Sequence, residues 1–174
     1  MSETLTKQRS KKSSGAAAVP RKGGQPSGKI AGGGFVSYCV HGPAGRSMAL
    51  SFTPSGLISA LRAGLPVQEL TDLQASLKVP MEKLAPRLGI SKATLHRRKA
   101  SGRLDPAESD RVVRFARLMG KAVEVLESDD HARQWLTSPQ FGLGGAVPLD
   151  YADTEVGARE VEDLLGRIEH GVYS

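Results

Sequence analysis

Hydroxyl, imidazole and basic side chains are concentrated in one short stretch, between Ser91 and Arg103. Lysine and arginine neutralise phosphates, and arginine and hydroxyl groups near the start of a helix also reach base edges in the major groove of DNA. We therefore predict a DNA-binding surface, in which the first part of the stretch faces the bases and its end meets phosphates. The predicted residues are Ser91, Lys92, Thr94, His96, Arg97, Arg98, Lys99 and Arg103.

Cys39 and His41 would lie on the same side of a strand, where a thiolate beside an imidazole can act as a nucleophile. No third group that would orient the histidine is apparent. The carboxylates near the C-terminus also lack a recognisable catalytic arrangement. The sequence therefore predicts no catalytic residue and no enzymatic activity.

Two further patterns suggest a cofactor, and each lacks a necessary part. The glycine-rich stretch at 142–145 has neither the strand nor the Gly-Lys-Ser or Gly-Lys-Thr sequence of a phosphate-binding loop. The four histidines are scattered, without the spacing of zinc ligands. We predict no bound metal and no cofactor.

Charge is distributed unevenly along the chain. Residues 1–34 carry seven basic side chains and one acidic side chain, and residues 78–121 carry twelve basic and four acidic side chains. Residues 122–174 reverse this balance, with three basic and eleven acidic side chains. A basic part and an acidic part predict two different partners, of which the basic part suits nucleic acid.

Composition indicates the compartment. The single cysteine precludes a disulfide within the chain and fits a reducing environment. No apolar run approaches the roughly 20 residues of a membrane-spanning helix, and no secretory signal is recognisable. These features predict a cytoplasmic protein with no membrane partner.

The N-terminal third does not have the pattern of helices. Residues 1–34 are mostly small, polar or basic, and bury too little apolar surface to offset the entropy of ordering, so we predict a disordered basic tail. Residues 35–52 contain two short apolar runs around a Gly-Pro-Ala-Gly turn. This pattern predicts a hairpin, or an extended segment if the hairpin has nothing to pack against.

Helical periodicity begins at residue 53, and the predicted fold class is all-α. Between residues 81 and 98 an apolar helix face is followed by Gly89 as a turn residue and by Ser91 as a helix cap, with Leu95 as the expected buried anchor. This is the spacing of a helix-turn-helix. Pro86 predicts that its first helix is short or kinked, because an interior proline costs a helix about 3 kcal/mol.

A long helix is expected from Asp105 to about Leu126, since Asp105-Pro106 and Glu108 form a capping arrangement. We expect its apolar stripe in the core and its basic stripe on a solvated or phosphate-facing surface. The basic stripe consists of Arg111, Arg114, Arg117 and Lys121.

Two shorter helices follow in the acidic part. Asp129 or Asp130 is the expected cap of the first, which carries Trp135 as a core anchor. Thr154 is the expected cap of the last helix, and Gly171 is its expected end.

Several blocks of this sequence resemble a known family. Residues 81–98 are similar to the helix-turn-helix of Xre-type regulators. The order WLTSP, FGLGGAVPLD and GAREVEDLLGRIEHGVYS resembles the C-terminal toxin-binding domain of the Xre/MbcA/ParS antitoxins. The resemblance covers about residues 54–174 and implies an Xre-like domain at 53–127 and a small helical toxin-binding domain at 128–174.

Such antitoxins are encoded beside toxins with a RES domain, which consume NAD. The resemblance implies that the C-terminal domain covers the toxin's active site and that the complex, with the antitoxin at least dimeric, represses its own operator at the bacterial nucleoid. An acidic domain suits a pocket that attracts anionic NAD. The implied toxin-binding residues are Arg159, Glu162, Arg167, Glu169, His170, Gly171, Val172, Tyr173 and Ser174.

Two alternatives stay open at this point. One is an autonomous Xre-type transcriptional regulator whose C-terminal domain only dimerises. The other is a small enzyme that uses Cys39 and His41 or the C-terminal carboxylates. A RES-domain reading frame beside the gene would favour the antitoxin over the regulator.

Overall fold

The computed structural model describes residues 34–36, 39 and 54–171, and within these ranges the fold is all-α, as predicted. The helices are α1 (Pro54–Ala63), α2 (Val67–Leu77), α3 (Met81–Arg87), α4 (Lys92–Ser101), α5 (Pro106–Leu126), α6 (Asp129–Thr137), α7 (Pro148–Tyr151) and α8 (Glu155–Glu169). A 3-10 turn at Phe141–Leu143 connects α6 to α7. The described part contains no strand, only two isolated bridges, Pro66 with Arg103 and Gln140 with Ala146.

Helix α5 is the central element of the fold. It packs against α1 and α2 on the N-terminal side and against α6 and α8 on the C-terminal side. Val112, Phe115 and Met119 on its inner face are completely buried. The apolar stripe is therefore core, as predicted, and one continuous core extends from Phe35 to Leu165 through both predicted domains.

The N-terminus of α5 has the predicted caps. The Asp105 carboxylate accepts a hydrogen bond from the backbone N–H of Ala107 (3.0 Å), and Glu108 accepts one from the N–H of Asp105 (2.8 Å). Pro106 occupies the first turn, where its missing N–H costs nothing. The local capping pattern thus predicted this helix start correctly.

Helix α6 begins differently from the prediction. Its cap is Ser128, whose hydroxyl accepts a hydrogen bond from the N–H of His131 (3.4 Å). Asp129 and Asp130 lie inside the first turn and form ion pairs with Arg133 instead. Trp135, the predicted core anchor, packs against the core but is only half-buried.

The N-terminal segment contributes to the core. Phe35, Val36 and Cys39 are helical, so the hairpin prediction is wrong at these positions. The reason is the carboxylate of Glu69, on α2, which accepts hydrogen bonds from the N–H groups of Phe35 and Val36 (both 2.9 Å) and so caps a helix start. The predicted disordered tail up to residue 33, and the rest of the predicted hairpin, lie outside the described residues.

Burial raises the pKa of the Glu69 carboxyl, and the two hydrogen bonds from Phe35 and Val36 act in the opposite direction. Gly34 packs closely against this carboxylate, since a Cβ there would lie 2.4 Å from Glu69 Oε1. The hydrogen bonds from Phe35 and Val36 to Glu69 therefore attach the N-terminal segment to α2.

None of the described helices is both long enough and apolar enough to cross a membrane.

Candidate functional site

Helices α3 and α4 form the helix-turn-helix. Gly89 adopts a positive φ of 68° and the N–H of Ile90 donates to the carbonyl of Ala85 (2.8 Å), which is the glycine-terminated helix end that the sequence predicts. Pro86 lies in the last turn of α3, and the helix is short, as predicted. The Arg111 guanidinium donates to the Leu88 carbonyl (3.2 Å) and so fastens the turn to α5.

Helix α4 is held by its caps and by a few side-chain contacts. The Ser91 hydroxyl caps it, as predicted, by accepting a hydrogen bond from the N–H of Thr94 (3.1 Å). No residue of α4 is fully buried, and Leu95, the expected buried anchor, is only half-buried against the core. Beyond the helix, the carbonyl of Gly102 accepts from the N–H of Val67 (3.0 Å), which ties this end to the start of α2.

Arg98 differs from the other predicted DNA-binding residues. Its guanidinium is half-buried and donates two hydrogen bonds to the Glu108 carboxylate, at 2.8 and 3.1 Å. These bonds raise the pKa of the Arg98 guanidinium. The side chain therefore connects α4 to α5.

The remaining basic residues of this surface are available to a partner. Their side chains are exposed, and none forms an ion pair with any part of the chain that the structure describes. Together with the capping pair of Ser91 and Thr94, they form what we call the reading face. Its basic members are Lys92, His96, Arg97, Lys99 and Arg103.

The basic stripe of α5 is arranged differently from the prediction. Arg114 pairs with Glu155 (3.2 Å), Arg117 with Glu162 (2.8 Å), and Lys121 with Glu169 (2.8 Å). These cations are therefore not simply solvated, because they pair with carboxylates of α8 and hold it against α5. The two helices run in the same direction, since each later cation of α5 meets a later carboxylate of α8.

This ion-pair row involves two predicted toxin-binding residues, Glu162 and Glu169. The hydrogen bond from Lys121 lowers the pKa of the Glu169 carboxyl. Each carboxylate stays partly accessible, with side-chain exposures of 29% for Glu162 and 38% for Glu169. Both residues thus already have a role within the chain.

The other predicted toxin-binding residues have different surroundings. Arg159 is exposed beside Glu155, and His170 and Gly171 are exposed at the end of α8, where Gly171 has the positive φ expected of a helix end. The Nε atom of Arg167 is buried and has no hydrogen-bond partner in the described part of the chain. Val172, Tyr173 and Ser174 lie outside the described residues.

Glycines set how α8 meets its neighbours. Gly157 follows the Thr154 cap, and a Cβ at Gly157 would lie 1.8 Å from the Tyr151 carbonyl oxygen. Gly142 lies against Leu164, where an added Cβ would approach within 2.6 Å of the Leu164 side chain. The residue before it, Phe141, is 100% exposed and was not among the predicted site residues. The only signal of Phe141 in the sequence was that it is a single aromatic residue beside a glycine-rich stretch.

The candidate nucleophile lies in an unfavourable environment. Burial raises the pKa of the Cys39 thiol to about 12, so the thiol is protonated at neutral pH. His41 lies outside the described residues. Among the described residues, no group of three or more His, Cys, Asp or Glu side chains could hold a metal ion.

Two family models match the chain. Residues 56–117 match the Antitoxin Xre-like helix-turn-helix domain, a range that covers most of α1, all of α2 to α4 with the reading face, and the first half of α5. Residues 121–171 match the Antitoxin Xre/MbcA/ParS C-terminal toxin-binding domain, which includes α6 to α8. The two matches confirm the order that the resemblance implied, a helix-turn-helix domain followed by a toxin-binding domain.

Curated relatives agree with the family models. The chain is similar to Antitoxin Xre of Yersinia enterocolitica, with 37% identity over 120 residues, which span 68% of this chain and 81% of that protein. It is also similar to Antitoxin Xre of Photorhabdus laumondii, with 38% identity over the same shares. A Sphingobium protein, the Prs ADP-ribosylating antitoxin, is 27% identical over 132 residues, 70% of this chain and 83% of that protein. From the domain matches and these identities, the chain belongs to the Xre/MbcA/ParS family of antitoxins and carries its toxin-binding domain.

Proposed function

We propose that this antitoxin neutralises a cognate RES-domain, NAD-consuming toxin by covering its active site with the C-terminal domain, and that it represses its own operon through the reading face. The observation that carries the proposal is the reading face itself, in which five basic side chains are free of partners in the described chain. The same chain also carries a matched toxin-binding domain, which follows the reading face in sequence. A free basic surface and a toxin-binding domain in one chain suit two different partners.

For DNA, the proposal assigns roles by position on α4. Lys92, Thr94, His96 and Arg97 face the bases of the major groove, because residues near the start of a recognition helix do so. Lys99 and Arg103 meet phosphates. Arg98 orients α4 through Glu108, and Ser91 caps the helix, so both act as positioning residues.

For toxin binding, the proposed contact is the end of α8 with the residues after it, 170–174, which we call the plug because they would fill the active-site cleft. Residues 170–174 follow the last ion pair of the α5–α8 row, so they can enter a cleft without breaking it. The anionic residues around them are complementary to a pocket that attracts NAD. The name of the Sphingobium relative mentions ADP-ribosylation, a reaction that consumes NAD, and this supports a toxin of that chemistry.

The assembly is proposed to contain at least two copies of the chain, because operators of helix-turn-helix proteins usually have two half-sites. A second copy would place a second reading face on the DNA. Action on an operon places the protein in the bacterial cytoplasm. Light scattering of the full chain with and without operator DNA tests the copy number.

Deletion of residues 171–174 tests the plug. We expect cells that co-express the shortened chain and the toxin from the adjacent reading frame to lose viability and NAD. The matched control is Arg97→Ala, which should keep protection and lose operator repression. A folded deletion variant that still protects cells and still blocks NAD consumption in vitro would refute the plug and favour a regulator with a dimerising C-terminal domain.

A further inference from the structure

An uncharged segment interrupts the acidic domain. From Gln134 to Leu149 there is no Asp, Glu, Lys or Arg, whereas residues 122–174 contain fourteen such residues in all. The cores of protein–protein interfaces are depleted of charged side chains and enriched in aromatic ones. The segment thus has the composition of an interface core, and many of its residues are exposed on the surface of this chain.

The middle of this segment, Gln140–Ala146, is a rigid turn that we call the glycine turn. The N–H of Gln140 donates to the carbonyl of Ala146 (3.0 Å), and the N–H of Gly145 donates to the carbonyl of Gln140 (2.9 Å). The Gln140 amide donates to the Trp135 carbonyl (2.8 Å), which attaches the turn to α6. A turn with these bonds loses little conformational entropy when it binds.

The glycine turn directs its two large apolar side chains oppositely. Leu143 is 8% exposed and joins the core, whereas Phe141 is 100% exposed. Gly142, between them, lies against Leu164 of α8, which seats the turn on that helix. Phe141 therefore contributes no buried area to its own fold. A polar residue could occupy this position without loss of stability.

We propose that Phe141 is an anchor that inserts into an apolar pocket of the toxin, so that the glycine turn forms a second contact beside the plug at the end of α8. This inference rests on the proposed toxin-binding function. The toxin is the expected occupant because Phe141 lies within the matched toxin-binding domain, in its uncharged segment. A buried aromatic anchor contributes most to an interface when a rigid element presents it.

Titration of the full chain against the purified toxin from the adjacent reading frame tests the anchor. We expect Phe141→Ser to weaken binding by about thirtyfold or more. Val156→Ser is the matched control, because Val156 is 72% exposed in the same domain but outside the uncharged segment. It should change the affinity by less than about threefold. Both variants should keep the melting temperature of the parent chain.

Other outcomes separate the possible occupants. Unchanged toxin affinity of a folded Phe141→Ser variant would overturn the proposal, and so would a loss of self-association without a loss of toxin affinity. Hydrogen exchange of the unaltered chain provides a second test, since toxin should protect residues 140–146, and lack of protection would overturn the anchor. Neutralisation that survives deletion of 171–174 but not Phe141→Ser would refute the plug and leave the anchor standing.

Discussion

Helices α4 and α8 were both predicted to bind a partner, but their charged side chains have different surroundings in the structure. On α4, Lys92, Arg97 and Lys99 are exposed and have no ion pair within the described chain. On α8, Glu155, Glu162 and Glu169 are bound by cations of α5. Charges of one helix are thus available to a ligand, while charges of the other largely hold the helix in place.

The two helices are also attached to the rest of the fold in different ways. Helix α8 buries Val161 and Leu165 completely and is bound to α5 along its length, whereas α4 has no fully buried residue and is held by its caps, by Leu95 and by Arg98. A helix that is held by its caps and along one side leaves its opposite side free to enter a groove. The difference shows that net charge alone does not tell which charged side chains are free and which are already paired within the chain.

Core truncation gives the largest expected effect. Replacing Leu165 with Ala should lower the free energy of unfolding by about 2–5 kcal/mol, because a fully buried leucine leaves a cavity. The same change at Leu95 should cost about 1.5 kcal/mol or less, since that side chain is already partly solvated. Denaturant titrations measure both. Equal costs would show that α4 is anchored as firmly as α8.

Operator binding should distinguish the unpaired Arg97 from the paired Arg117. Arg97→Ala should weaken specific binding by about 1–3 kcal/mol, through lost contact with the bases. Arg117→Ala is the matched control, because Arg117 is also exposed but is bound to Glu162. A low-salt gel shift with DNA from upstream of the gene measures both. A similar loss for the two variants would mean that α5 also lies against the DNA.

The positioning role of Arg98 predicts a smaller effect on DNA binding. Glu108→Gln removes the charge that holds the Arg98 guanidinium, and with it part of the orientation of α4. Operator affinity should fall by roughly three- to tenfold, less than for Arg97→Ala. The salt dependence should stay that of the parent chain, because no phosphate contact is lost. A flatter salt dependence would instead indicate that Arg98 meets a phosphate.

The ion pair of Lys121 and Glu169 predicts the smallest effect, visible as a pH dependence. The folded-state pKa of Glu169 is lowered, so its contribution to stability is present above the pKa of the unfolded chain and disappears as pH falls through the folded-state pKa. The difference in unfolding midpoint between the parent and Glu169→Gln should therefore shrink on acidification. A difference that grows on acidification would contradict this pairing.

The features that could be predicted are those decided by neighbours in sequence. The caps Ser91, Asp105 and Thr154, the turn at Gly89 and the end at Gly171 all depend on the conformation of a few adjacent residues. Each was found where it was expected. The cap of α6 was missed by one residue because Ser128 and Asp129 are both acceptable caps, and Arg133 decided between them by binding the aspartates.

The features that could not be predicted depend on residues far apart in the chain. The stripe of Arg114, Arg117 and Lys121 resembles a solvated face until α8 is placed beside it. The helical start at Phe35 depends on a carboxylate 34 positions later, at Glu69. Strand propensity near residue 35 was therefore overridden by a tertiary hydrogen bond.

Because α5 supplies core to both the helix-turn-helix and the toxin-binding domain, we expect the two halves to unfold as one cooperative unit. A ligand that binds only the folded state adds its linkage free energy to the whole of such a unit, about 2.7 kcal/mol at a hundred times its dissociation constant. Toxin bound at the acidic end would then slow amide exchange in α4 without touching it. By reciprocity, an operator bound at α4 would protect α8.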